Sequence, residues 1–211
     1  MIQSLPYITR PMEPGDIPSV VAIDRLSFPT PWPPSAYAYE LNFAKDSRYY
    51  VLLRPGTARS APAESKWHNW LRRSARVIHD SGDIIGYLGT RRKKESVHIS
   101  TIAIHPDWRC KGLGEYLLLQ AIEQGLEQEV PRITLEVRAS NTIAQNLYRK
   151  FGFRFTGTHC GYYRDGEDAW LMALEITGPR FQQYLAKMHH ASEQRLRANH
   201  PTVGQTNSGT I

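Results

Sequence analysis

Two glycines and two cations stand together in the hexamer Arg109, Cys110, Lys111, Gly112, Leu113, Gly114, between a β-branched run over 96–104 and a segment of helical period that begins at Gly114. That placement suits anion binding. Glycine has no Cβ, so the backbone can take positive φ and approach a ligand closely. The first N–H groups of a helix lack internal partners and carry the positive end of the helix dipole. With Arg109 and Lys111 adding two full charges, the chemistry expected is capture of a phosphate or pyrophosphate. The hexamer lacks the lysine and hydroxyl ending of a P-loop, and it is not the GxGxxG of dinucleotide folds. Glycines that merely shape a helix start would look the same, so the six residues do not decide their use alone.

The elements needed to hold such a turn are legible along the chain. Strands are predicted over 5–12, 48–54, 83–90, 96–104 and 132–140, and helices over 16–28, 35–45 and 114–130, the last ended by Pro131. In the strand at 132–140, Ile133, Leu135 and Val137 alternate with Thr134, Glu136 and Arg138, the period of a half-buried strand. A helix follows, with Asn141 as its cap and Gly152 at its end. The segments FRFTGTHCGYY and DAWLMALEI are expected to pair as strands around the turn-rich RDGE. The stretch Phe28 to Pro34 carries four prolines and reads as a rigid, extended connection. Residues 55–82 read as a polar, basic insertion whose WHNWLRRSARVI part could form a short amphipathic helix. The domain is expected to span 5–177, followed by a helix over 178–197 and a disordered polar tail over 198–211.

With 211 residues and 41% hydrophobic content, the chain has enough material for one full core. No apolar run approaches the roughly 20 residues of a membrane span, and the opening MIQSLPYITR lacks a basic region leading into an apolar one, so a cytoplasmic protein is expected. Cys110 and Cys160 are the only cysteines, without CxxC or histidines at ligand spacing, so neither a disulfide framework nor a metal site is expected. The net charge of +6 is uneven: residues 54–94 hold ten Lys or Arg against three acids, a local balance of +7. Such a patch fits contact with RNA or a ribosomal surface, although solvated charge runs are common.

The segment STIAIHPDWRCKGLGEYLL resembles motif A of the GNAT superfamily of acetyl-CoA-dependent N-acetyltransferases. The likeness continues through LEVRASNTIAQNLYRKFGF and GYYRDGEDAWLMAL to FPTPW upstream, which together resemble the bacterial ribosomal-protein-alanine N-acetyltransferases. The resemblance implies an α/β (α+β) GNAT fold: a mixed, mostly antiparallel central sheet with helices on both faces and a splayed parallel strand pair. It implies acetyl-CoA as cosubstrate, with the backbone of Ile102, Ala103 and Ile104 along pantetheine, Arg109, Cys110, Lys111, Gly112, Leu113 and Gly114 at the pyrophosphate, and the Asn141 amide on the pantetheine arm. It assigns Glu136 as general base and Tyr148 as general acid, and makes Phe28, Trp32, Tyr162 and Tyr163 the substrate walls. Close relatives commonly have a basic residue or glycine at position 110; since the contact implied there is a backbone N–H, Cys110 is read as structural.

Taken without the resemblance, Glu136 is a solvated carboxylate on the polar side of a strand and Tyr148 a core aromatic near a helix end. With it, three readings compete. The acceptor is the N-terminal α-amine of a protein, a ribosomal protein starting with alanine being the favoured partner. Alternatively the same fold serves a lysine, a polyamine or an antibiotic, or the chain is a non-catalytic acetyl-CoA-binding module. Retention of both Glu136 and Tyr148 speaks against the last.

Overall fold

The computed structural model describes residues 7–54 and 84–199. The insertion predicted at 55–82, the basic residues within it and the tail beyond 199 lie outside the described residues. In chain order the elements are β1 (Ile8–Pro11), α1 (Ile17–Ser27), α2 (Pro34–Asn42), β2 (Ser47–Leu53), β3 (Ile84–Lys93), β4 (Ser96–Ile104), α3 (Leu113–Glu127), β5 (Arg132–Arg138), α4 (Thr142–Lys150), β6 (Arg154–His159), β7 (Ala169–Glu175) and α5 (Pro179–Ala198). Among the described residues the strands form one sheet in the order β1-β2-β3-β4-β5-β7-β6. Every neighbouring pair is antiparallel except β4 with β5.

The sheet buries both faces because its strands alternate in which side they serve. On β2, Val51 joins a core with Val20, Val21, Ile23 and Tyr37 beneath α1 and α2, while Leu52 turns to the opposite core under α3. On β5, Ile133, Leu135 and Val137 all face the α3 side, which leaves Thr134 and Glu136 on the other face. β4 changes its alternation midway. Gly89 pairs with Thr101 but Thr90 pairs with Ile99, so Ser100 is an extra residue, a β-bulge. Val97 and Ile99 face α3 before the bulge, and Ile102 and Ile104 do so after it.

Three boundaries differ from the sequence expectation. β3 runs on to Lys93 because Arg91, Arg92 and Lys93 continue the ladder with His98, Val97 and Ser96, a polar strand end that hydrophobic period does not reveal. α3 stops at Glu127, ahead of Pro131, because Glu129 takes a left-handed φ of 53° without being glycine and the Val130 N–H bonds back to the Gly125 carbonyl. The predicted strand pair around RDGE is shorter: β6 ends at His159, and 160–168 form a loop in which Gly161 and Gly166 take φ of 58° and 81°. Tyr162 and Tyr163 therefore stand on a loop, not a strand.

α5 lies along α3. Leu185 and Leu196 are buried in the α3-side core, His189 Nε2 lies 3.1 Å from Glu123 Oε1, and Arg195 meets Glu115, which also takes Lys150 at 2.7 Å. Burial, and then the neighbouring Glu127, push the Glu123 carboxyl up to about 7. At its far end Asn199 Nδ2 donates to the Lys111 carbonyl at 3.1 Å, so this helix reaches the 109–114 turn.

Candidate active site

β4 and β5 pair only from Ser96–Arg132 to Ile99–Leu135. Past that point the strands part, and a cleft of about 850 Å³ opens between them. Leu135, Glu136 and Val137 form one side and Ile99 to Ile102 the other. The end of α4, the 28–33 connection and the 160–168 loop complete the walls. Of the residues singled out from sequence, Phe28, Trp32, Ile102, Glu136, Asn141, Tyr148, Tyr162 and Tyr163 line this one cleft.

Glu136 sits at the fork. Register places His98 beside Thr134 across the parallel pair, and Glu136 is the next residue on that face. His98 Nε2 lies 2.9 Å from Glu136 Oε2, and its Nδ1 lies 3.0 Å from Thr134 Oγ1. In the neutral ring this order requires Nε2–H to donate to the carboxylate and Nδ1 to accept from the threonine hydroxyl. Burial raises the Glu136 carboxyl, but the His98 hydrogen bond and charge outweigh it, with Lys93 and His159 contributing, so the carboxyl is held below its usual value. A carboxylate so held is ionised at neutral pH and faces open space on its other side. His98 was not legible in the sequence, because it becomes a neighbour of Glu136 only through strand register.

Tyr148 comes from α4 on the wall past Val137. It is buried, its ring 5.7 Å from that of Phe153, and it lines the cleft. Burial, with the nearby Tyr163 adding to it, pushes its phenol far above the usual range. Such a group stays protonated at any physiological pH and can only give a proton to a strong base, such as a departing thiolate. Its ring packs in the core while the residue also lines the cleft, so burial and access to the cleft coexist at this position.

Two buried carboxylates, Asp24 and Glu40, help to fix the mouth. Asp24, at the core-facing side of α1, accepts the Trp32 backbone N–H at 2.6 Å and the Tyr87 hydroxyl; Tyr87 in turn accepts from Tyr37 at 3.1 Å and from Thr101 at 3.2 Å. That chain ties the proline-rich connection to β3 and β4. Trp32 packs on Tyr37 at 5.5 Å between ring centroids. On the opposite wall, Tyr162 and Tyr163 meet edge to face at 5.1 Å. Burial raises the Tyr163 phenol to about 12. At the end near α2, Glu40 pairs with Arg91, and its Oε2 is buried without a hydrogen-bond partner.

The 109–114 turn departs from expectation in detail. Positive φ falls at Cys110 (61°) and Gly112 (87°), whereas Gly114 is already helical in the first turn of α3. Arg109 does not project as a free cation: its Nε donates to the Ile104 carbonyl at 3.1 Å and its Nη2 to Ser27 Oγ at 3.0 Å, which makes it a brace for the turn. Lys111 lies over the Trp108 ring, 4.5 Å from its centroid. Ala103, Ile104 and the 109–114 turn fall outside the lining of the cleft proper, and Cys110 is exposed. Asn141 spends its Oδ1 on the Ala144 N–H at 3.1 Å, capping α4, which leaves its amide nitrogen for another partner. A left-handed turn into a 15-residue helix, beside a strand edge without a ladder partner past Ile99, fits an elongated phosphate-bearing ligand with amide groups along its arm.

A sheet forked between its parallel strands, with a glycine-bearing helix start at one end and a carboxylate and a buried tyrosine in the fork, suits an acyl-transferring enzyme. The chain belongs to the acetyltransferase (GNAT) family, whose model matches residues 17–153. It is 36% identical over 168 residues, 79% of this chain and 94% of the relative, to a protein of Bacillus subtilis (strain 168) provisionally named ribosomal protein bS18-alanine N-acetyltransferase. The crystal structure of the ribosomal-protein-S18-alanine N-acetyltransferase from Escherichia coli superposes with a TM-score of 0.62 at 26% identity, covering 82% of this chain and 95% of that one. Arabidopsis thaliana NAA60, solved in complex with acetyl-CoA, shares the fold with a TM-score of 0.63 at 19% identity, covering 82% and 99%.

Proposed function

We propose that this enzyme transfers the acetyl group of acetyl-CoA to the N-terminal α-amine of a protein, with a ribosomal protein beginning with alanine as its first candidate acceptor. The observation that carries the reading is the position of Glu136 at the fork, ionised and oriented by His98, in one cleft with the protonated Tyr148. The names of the relatives in Bacillus subtilis and Escherichia coli support the acceptor.

Acetyl-CoA supplies a thioester carbonyl. The C–N bond to the amine forms as the C–S bond breaks, the amine loses a proton and the thiolate gains one. The edge of β4 over Ser100 to Ile104 and the turn at Cys110 to Gly114 would hold the coenzyme, with the Asn141 amide along its arm. Glu136 takes the amine's proton, through water where the amine stands off from the carboxylate, and His98 fixes which oxygen faces it. Tyr148 gives its proton to the sulfur. An α-amine of pKa about 8 is roughly a tenth neutral at pH 7, whereas a lysine near 10.4 costs about 3 kcal/mol more to deprotonate, so a carboxylate base suits an N-terminus. Phe28, Trp32, Tyr162 and Tyr163 form walls for a peptide start.

The test is acetyl transfer to peptides with free Ala, Ser, Met or Gly N-termini, beside N-terminally blocked copies carrying an internal lysine. Transfer to free N-termini, strongest for alanine, is the expected result. Reaction of the blocked lysine peptides alone would move the acceptor to lysine, and coenzyme binding without any transfer would favour small amines or a binding module.

His98→Ala offers a sharper check on the base. Removing His98 leaves Glu136 its burial but not its partner, so the carboxyl should rise. Below the limb set by the acceptor amine, the carboxylate limb of the kcat/KM profile is expected to move to higher pH, read from rates between about pH 4 and 9.

A further inference from the structure

Arg138 lies two residues past Glu136 on β5, on the cleft side, and is buried with 8% of its surface exposed. Its guanidinium reaches two parts of the mouth that are far apart in sequence. Nη2 donates to Thr30 Oγ1 at 2.9 Å, in the proline-rich connection. Nη1 donates to Asp165 at 2.8 Å and to Glu167 at 2.7 Å, in the loop that carries Tyr162 and Tyr163. Its Cζ stands 3.9 Å from the centroid of the Tyr163 ring. The other side of this junction is equally fixed: Glu167 Oε1 accepts the Ser140 N–H at 2.8 Å, and Gln145 Nε2 donates to the Arg138 and Ala139 carbonyls at 3.0 and 2.9 Å. Hydrogen bonds from Ser140, and then from Arg138, hold the Glu167 carboxyl down to about 2, so Glu167 keeps its charge through neutral and moderately acid pH.

We infer that Arg138 is a positioning residue for the acceptor: a single planar fork ties both walls of the mouth to the strand that bears the base, so the amine's approach is set relative to Glu136. This rests on the acetyl-transfer reading above. A planar guanidinium can donate along several directions while stacking on a ring, which a lysine ammonium cannot do from one position. Neither catalysis nor the coenzyme edge requires an arginine here, since Arg138 faces the mouth and its partners are Thr30, Asp165, Glu167 and Tyr163.

The experiment is steady-state kinetics of Arg138→Lys, Arg138→Gln and Thr30→Val with saturating acetyl-CoA, using whichever amine the wild-type enzyme accepts, together with calorimetric affinity for acetyl-CoA and melting temperature. Arg138→Gln and Arg138→Lys are each expected to raise the acceptor KM by about tenfold or more, with kcat within about threefold and coenzyme affinity unchanged. Thr30→Val, which cuts one arm only, is expected to raise KM by about threefold. A loss of kcat and of coenzyme affinity in proportion to lost folded protein, or full rescue of KM by lysine, overturns the inference and leaves Arg138 a fold clasp or a simple charge. If both Arg138 variants fail to fold, Thr30→Val and Asp165→Asn decide it: unchanged acceptor KM in both refutes it. Because the acceptor is the one the wild type proves to use, an error about N-termini shows in the wild-type panel, and an error about Arg138 shows in the variant ratios.

Discussion

Glu136→Gln is expected to lower kcat by roughly 10²- to 10³-fold while coenzyme affinity stays within about twofold, the size of effect that removal of a general base produces. The substitution keeps the shape and a hydrogen-bond acceptor for His98 Nε2–H, so the Thr134, His98 and Glu136 chain can persist without its proton acceptor. Measuring kcat, peptide KM and coenzyme Kd side by side separates this from a binding defect. The pH dependence has a definite sign. The folded carboxyl lies below its usual value, so it is already ionised at neutral pH, and kcat/KM should instead rise as the acceptor amine loses its proton toward a pH of about 8. The same depression makes the His98 contact with Glu136 a source of stability that is present above the unfolded carboxyl's pKa and lost as pH falls through the folded one. A Glu136→Gln protein that keeps more than a third of wild-type kcat would remove Glu136 from the mechanism.

The second large effect is expected from Tyr148→Phe, a fall in kcat of about 10²-fold with little change in melting temperature. Phenylalanine keeps the packing against Phe153 and the buried surface, and loses only the hydroxyl. Alanine would be a poor probe, because emptying a buried aromatic site costs about 3–5 kcal/mol of stability and confounds the rate. The loss should depend on the leaving group. A thioester analogue that releases a more acidic thiol needs less proton donation, so the gap between Tyr148→Phe and wild type should narrow with it. An unchanged gap would mean that the hydroxyl acts on binding and not on the sulfur.

Much of this was readable from residue order. Period two over Ile133, Leu135 and Val137 placed Glu136 on the face away from the α3 core, and the glycines of 109–114 marked the turn into α3. What escaped reading shares one cause: it depends on which strands meet and in what register. His98 touches Glu136 only because β4 and β5 pair in parallel with His98 opposite Thr134. The bulge at Ser100, which redirects Ile102 and Ile104, leaves no glycine or proline in SVHISTIAI to betray it. Arg138 is an ordinary strand cation in sequence, and its partners at Thr30, Asp165 and Glu167 come from loops whose approach no local pattern encodes. The bracing bonds of Arg109 escaped for the same reason: its charge and spacing were visible, but the approach of the Ile104 carbonyl and Ser27 to its guanidinium was not.

The fork between β4 and β5 has a mechanical side as well. β1 to β4 form one half of the sheet and β5 to β7 the other, and the ladder joining them is only the stretch from Ser96–Arg132 to Ile99–Leu135. Each half has its own hairpin-like pairings, but the seam has few bonds to break, so partial opening of the native protein should run along it before either half comes apart. In deuterium exchange the amides of β2 and β3 would then outlast those of β4 beyond the bulge. A ligand bridging the two strands would act as the missing rungs of the ladder, turning two loosely joined exchange units into one.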